Sequence, residues 1–102
     1  MKITYVKYVE PSTDISAFAD LHGLEMVVQE RDPSFPEFQK YYANFVEVEV
    51  IKDGMLESRF GNGSTPEYAI QEYCRQISGC KLSLPSGKRI TTPKVLTYKE
   101  VK

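Results

Sequence analysis

Between Thr65 and Gly79 the chain carries a full set of helix start and stop signals around a single apolar stripe, and this constrains its fold more than any other feature. Thr65 is an N-cap residue, Pro66 suits the first helical position, and Glu67 favours the positive end of the helix dipole. Ala69, Ile70, Tyr73, Cys74 and Ile77 recur at helical spacing, and Gly79 closes the helix. A helix with one apolar stripe must lay it against a second layer.

The second layer reads as β. From Tyr41 to Ile51, Val46, Val48 and Val50 alternate with Glu47 and Glu49, the pattern of an antiparallel strand with one wet face. The turn that follows admits two registers. A two-residue Asp53-Gly54 turn sets Val50 opposite Glu57. A three-residue Lys52-Asp53-Gly54 loop sets Val50 opposite Leu56, Val46 opposite Phe60 and Glu47 opposite Arg59, with Glu49 facing Glu57 as its cost. The second register keeps apolar residues together and is the one expected. The helix stripe Ile70, Tyr73, Cys74 and Ile77 is then expected on Val46, Val48, Val50 and Phe60.

Other elements are shorter. Met1 to Val9 reads as a strand ended by Pro11. Ser12, Thr13 and Asp14 are N-cap candidates for a helix from Ile15 to His22, with Gly23 as its left-handed cap. Leu24 to Gln29 reads as a strand, and Asp32-Pro33-Ser34-Phe35-Pro36 as a loop. Leu82 and Leu84, Ile90, and Val95 to Tyr98 read as short strands around a Pro85-Ser86-Gly87-Lys88 turn. The expected fold is α+β, an antiparallel sheet with the main helix on one face and a second short helix, in the order β-α-β-β-β-α-β(β). At 102 residues this is one domain, 1–102, able to bury roughly 65% of its unfolded surface.

Candidate chemistry is sparse. His22 is the lone histidine, and its place in the last turn of a short helix fits capping and the dipole. Cys74 and Cys80 read as small buried or half-buried thiols; two cysteines and one histidine cannot close a zinc site. Glu47, Glu49 and Glu57 gather on the wet face of the hairpin, without burial to tune them. Gly61-x-Gly63 before a helix resembles an anion-binding loop. The phosphate motifs need a lysine or a third glycine where this chain has Ser64-Thr65-Pro66, so a plain strand-to-helix turn is expected. No cofactor, metal or catalytic group is expected.

Two surfaces stand out for binding. Phe35, Phe38, Tyr41 and Tyr42 crowd a proline-rich loop and the start of the long strand, as core lid or exposed contact surface. The net charge of −1 is also split: residues 1–60 carry 6 Lys/Arg against 11 Asp/Glu, and residues 61–102 carry 7 against 3. Lys81, Lys88, Arg89 and Lys94 gather after the main helix, where they could meet an acidic protein surface, a second copy of the chain, or nucleic acid. No aromatic residue interleaves Lys81 to Lys94 to stack on bases, which favours a protein contact. No apolar run of about 20 residues is present to span a bilayer, and the first ten residues lack a signal-peptide core, so a cytoplasmic setting is expected.

The stretch from Tyr41 to Gly79 resembles small uncharacterised proteins of phages and prophages. In these a strand ending in Tyr-Gly-Asn-Gly or Phe-Gly-Asn-Gly runs into Thr-Pro-Glu-x-Ala-Ile and a helix closing in Ile-Ser-Gly. Here the residues are Phe60-Gly61-Asn62-Gly63-Ser64-Thr65-Pro66-Glu67-Tyr68-Ala69-Ile70, with Ile77-Ser78-Gly79 at the end. Phe18-Ala19-Asp20-x-His22-Gly23-Leu24-Glu25 is similar to the same group. The β-β-α half also looks like HicB-type antitoxins, through Gly-x-Thr-Pro-Glu-x-Ala, and like double-stranded-RNA-binding domains. Pro66-Glu67 stands where the latter carry phosphate-binding lysines. The resemblance implies a phage-type accessory protein in a bacterial host and brings no activity with it. The function expected is non-catalytic binding of a protein partner, with a homodimer as one form of it. The alternative is a nucleic-acid-binding module using the basic C-terminal segment.

Overall fold

The computed structural model describes residues 1–7 and 12–99. The fold is α+β, as the sequence leads one to expect. Among the described residues the elements run β1 (Thr13–Asp14), α1 (Ile15–His22), β2 (Met26–Glu30), a 3-10 turn (Glu37–Gln39), β3 (Tyr41–Phe45), β4 (Glu49–Lys52), β5 (Met55–Glu57), β6 (Gly61–Gly63), α2 (Pro66–Ile77), β7 (Lys81–Ser83), β8 (Arg89–Thr91) and β9 (Leu96–Thr97). They form two antiparallel sheets, β2-β3-β6 and β5-β4-β7-β8, and a short parallel pair, β1-β9.

Helix α2 is built as its signals demand. The Thr65 side chain accepts a hydrogen bond from the Tyr68 N–H at 3.2 Å, and Pro66 opens the helix. Ala69, Tyr73, Cys74 and Ile77 are buried, whereas Ile70 is only partly so. The C-terminal carbonyls, orphaned by helix geometry, find partners in the last segment of the chain. The buried Thr92 hydroxyl donates to the Ile77 carbonyl at 2.6 Å and accepts from the Cys80 N–H at 2.9 Å. The Ser78 hydroxyl donates to the Cys74 carbonyl at 2.6 Å and accepts from the Leu96 N–H.

The long strand expected from Tyr41 to Ile51 is two strands. Ala43 and Phe45 are buried, then Val48 and Val50, so the inward phase slips by one residue between them. The slip is made at Glu47, whose φ of 56° bends the chain there. As a result β3 belongs to one sheet and β4 to the other.

The hairpin register differs from the expected one. Val50 lies opposite Glu57, Ile51 opposite Leu56 and Lys52 opposite Met55, around a two-residue Asp53-Gly54 turn. Both turn residues have positive φ, 52° and 77°, as a type I′ turn requires. Turn chemistry overrides facial matching because β5 is an edge strand with all three residues exposed, and so has no buried face to match. Val50 is covered instead through β7, where it pairs with Leu82. Phe60 also departs from expectation: it is exposed rather than buried under α2.

The strand expected over Met1–Val9 is not formed where the structure describes it. Residues 1–7 are exposed and pair with no sheet strand, and Tyr8 and Val9 lie outside the described residues. The short helix α1 does form, capped by Gly23 at φ 65°, and it buries Ile15 and Phe18. The core closes where Phe45 meets Tyr73 edge-on at 5.5 Å and Phe18 at 6.2 Å.

Gly61 and Gly63 form β6 rather than a turn, and their role is close packing. A Cβ on Gly61 would lie 2.2 Å from the Ala69 carbonyl oxygen and the Tyr73 nitrogen; one on Gly63 would lie 2.5 Å from the Ala69 nitrogen. The backbone of α2 thus rests directly on β6, which only residues without a side chain permit.

Candidate interaction surface

Among the described residues no α-helix lies on the opposite face of β2-β3-β6. Along β3 the side chains of Tyr42 and Asn44 alternate with the inward Ala43 and Phe45, and Tyr42 stands between Gln29 of β2 and Asn62 of β6. The Tyr42 hydroxyl is hydrogen-bonded to Gln29 Oε1. Across this face lies Arg31, which follows β2 directly. Its guanidinium carbon sits 4.4 Å from the ring centre of Tyr42, 5.4 Å from Phe35 and 5.5 Å from Phe60. Its Nη1 donates to the Gln39 carbonyl at 2.8 Å and to Asn62 Oδ1. Tyr42 and Phe60 also meet edge-on at 5.8 Å.

The proline-rich loop is held by its own hydrogen bonds. The Arg31 N–H donates to the Lys40 carbonyl at 2.7 Å, and the Ser34 N–H to the Asp32 carboxylate at 2.8 Å. This Ser34 N–H keeps the exposed Asp32 carboxyl below its ordinary pKa. The loop thereby sets Phe35 over Arg31 and leads Phe38 to a cleft of about 410 Å³ shared with Asn62, Ser64 and Tyr68. Exposure is high for the aromatics of both groups: Phe35 47%, Phe38 66%, Phe60 45% and Tyr68 59%. Asn62 touches both groups, so they form one continuous patch.

Of the residues picked from the sequence, Phe35, Phe38 and Tyr42 thus join this patch. Tyr41 does not: it lies opposite Gly63, partly buried against the core, with the Lys40 ammonium 5.6 Å from its ring. Four residues of the patch escaped that selection, namely Arg31, Asn62, Phe60 and Tyr68. Tyr68 was legible, since it falls off the Ala69–Tyr73–Ile77 stripe. Arg31 carried no local signal, because its partners lie on three other segments.

The basic residues are placed differently. Lys81, Lys88, Arg89 and Lys94 are all exposed, and among the described residues none of them makes an ion pair. Lys81 and Arg89 share the outer face of the four-stranded sheet, by the pairings Lys81–Thr91 and Ser83–Arg89. Glu49 lies in the row of Ser83 and Arg89, so the charge split of the sequence partly mixes in space.

The carboxylates expected together are apart. Glu47 is at the bend, Glu49 faces one side of its sheet, and Glu57, opposite Val50, faces the other and pairs with Arg59 at 3.2 Å. The cysteines are both free. Burial pushes the Cys74 thiol up to about 12 and the Tyr73 hydroxyl up to about 12, so both groups stay protonated well into the alkaline range. His22 packs its ring edge-on to Phe18 at 4.8 Å, in the last turn of α1. Among the described residues no helix is long and apolar enough to cross a membrane. Comparison with models of protein families, with curated proteins and with solved structures finds no match.

Proposed function

We propose that this chain is a non-catalytic accessory protein of phage or prophage type that acts by binding a protein partner through the aromatic patch around Arg31. A single observation carries the reading: the exposed rings of Phe35 and Phe60, with Tyr42, surround one arginine on a sheet face that no α-helix covers among the described residues, and the exposed Phe38 and Tyr68 line the adjoining cleft at Asn62. Aromatics and arginine are the residues that dominate protein–protein contacts. Arg31 is already anchored by Gln39 and Asn62, so little side-chain entropy remains to be lost on docking. A cytoplasmic setting in a bacterial host accompanies this reading.

The second reading, nucleic-acid binding, rests on the four exposed cations after α2. Among the described residues the sheet face that holds Lys81 and Arg89 carries no aromatic platform: its residues are Ile51, Glu49, Leu56, Lys81, Ser83, Arg89 and Thr91. Affinity capture from nuclease-treated host lysate separates the two. Wild type is expected to retain a protein partner that Phe35→Ser/Phe38→Ser/Tyr68→Ser loses and Lys88→Glu/Arg89→Glu keeps. Capture that depends on intact nucleic acid and is lost in the basic-residue variant would replace the first reading by the second.

A further inference from the structure

The segment Lys2-Ile3-Thr4-Tyr5-Val6-Lys7 has the make-up of a strand, rich in β-branched and aromatic residues and free of proline and glycine. Yet it is fully exposed, with Ile3, Tyr5 and Val6 each at least three-quarters in solvent. Strand β2 has the complementary deficiency. It is an edge of the β2-β3-β6 sheet. Bonds from the Val46 N–H to the Glu25 carbonyl and from the Arg31 N–H to the Lys40 carbonyl fix which β2 groups face β3. By alternation, the N–H and C=O of Met26, Val28 and Glu30 point outward to the open edge. Unpaired edges of this kind are templates for an added strand.

We propose that residues 2–7 of one copy add antiparallel to β2 of a second copy, and the exchange makes a homodimer. The occupant is selected by charge and spacing. Lys2 and Lys7 are five residues apart, as are Glu25 and Glu30, which bracket β2. The antiparallel register Lys2–Glu30, Thr4–Val28, Val6–Met26 and Lys7–Glu25 matches both charges at once, while Tyr5 lies beside Val27 on the outer face. On the inner face Val6 comes alongside Met26, which lines a largely apolar cleft of about 210 Å³ with Ile15, Phe45 and Ile70, and with Ser16 and Asp20 as its polar members. Antiparallel addition continues the sense of the existing sheet and is the slightly stronger pairing. The interface uses the free edge of β2 and adjoins the partner-binding patch where Glu30 meets Arg31.

The test is sedimentation equilibrium of the full chain and its charge-swapped variants. Wild type is expected to dimerise. Lys2→Glu/Lys7→Glu, confined to an exposed segment, and Glu25→Lys/Glu30→Lys should each weaken the dimer by about tenfold or more, the loss of two cross-strand ion pairs at each of the two exchanged strands and their replacement by like charges. The four changes combined should restore it. In addition, Tyr5→Cys/Val27→Cys in a Cys80→Ser background should form an intermolecular disulfide, because a non-hydrogen-bonded cross-strand pair places the Cα atoms about 4.5 Å apart. A wild type that stays monomeric to millimolar concentration would overturn the proposal. So would a dimer indifferent to both reversals, or a disulfide that forms only within one chain.

Discussion

The two faces of the β2-β3-β6 sheet share a backbone and differ in almost everything else. On the inner face β6 offers only Gly61 and Gly63, β3 offers Tyr41, Ala43 and Phe45, and α2 sits directly on β6. On the outer face the same three strands and their flanks carry Tyr42, Phe60, Asn62 and Arg31, with Phe35 and Phe38 supplied from the adjoining loop. Removing side chains on one side brings a helix within van der Waals contact and seals the core. Leaving large rings on the other side builds nothing inside the domain. The inner face therefore carries stability, and the outer face is free to carry recognition.

That division breaks or holds by mutation. The largest loss is expected from Phe45→Ala, since the ring is fully buried between Phe18 and Tyr73. It should cost about 3–5 kcal/mol in denaturant unfolding. Gly61→Ala should follow closely, although it adds only one methyl group. Its obstacles are backbone atoms at 2.2 Å, so the helix must move as a body, and a loss of about 3 kcal/mol is expected, the upper end for overpacking. A loss below about 0.5 kcal/mol at Gly61 would mean that α2 does not rest on β6.

Alkaline pH probes the same inner face more gently. Tyr73 and Cys74 are held protonated by burial, with folded values of about 12 against ordinary values of 10.0 and 9.0. Above pH 9 the unfolded chain releases these protons and the folded chain does not, so stability falls as pH rises from 9 toward 12. The loss should be on the order of 2 kcal/mol by pH 10.5. In a Cys74→Ala variant the decline should be visibly shallower, and an identical decline would show that the thiol is not buried. The smallest effect belongs to the outer face. Phe38→Ala and Tyr68→Ala should each change stability by less than about 0.5 kcal/mol, because both rings are mostly in solvent.

The inner face was largely legible in the sequence and the outer face was not, for a physical reason. Helical periodicity with caps at Thr65 and Gly79 is local information, and it identified Tyr73, Cys74 and Ile77 as buried, although α2 packs mainly on β6 and β3 rather than on the Val46–Val50 segment. The alternation from Val46 to Val50 was local too, but it concealed the bend at Glu47, where a non-glycine residue takes positive φ. That bend is what splits the expected single sheet into two. At the hairpin, apolar matching pointed to one register and the Asp53-Gly54 turn to another. The turn prevailed because β5 buries nothing. The candidate site was legible only through Phe35, Phe38 and Tyr42. Arg31, Phe60 and Asn62 reach Tyr42 from the end of β2, the start of β6 and β6 itself, and no spacing in the chain records that convergence. Tyr41 was misplaced by one strand position, which in a pleated strand is the opposite face.

The most direct test of the division is amide hydrogen exchange, with the protein alone and then bound to the partner it captures. Added protection should concentrate in residues 31–42 and 58–64, the loop and strands that present the aromatic patch, with segment 79–95 unchanged. Protection concentrated in 79–95, around Lys81, Lys88, Arg89 and Lys94, with none in 31–42, would contradict the account.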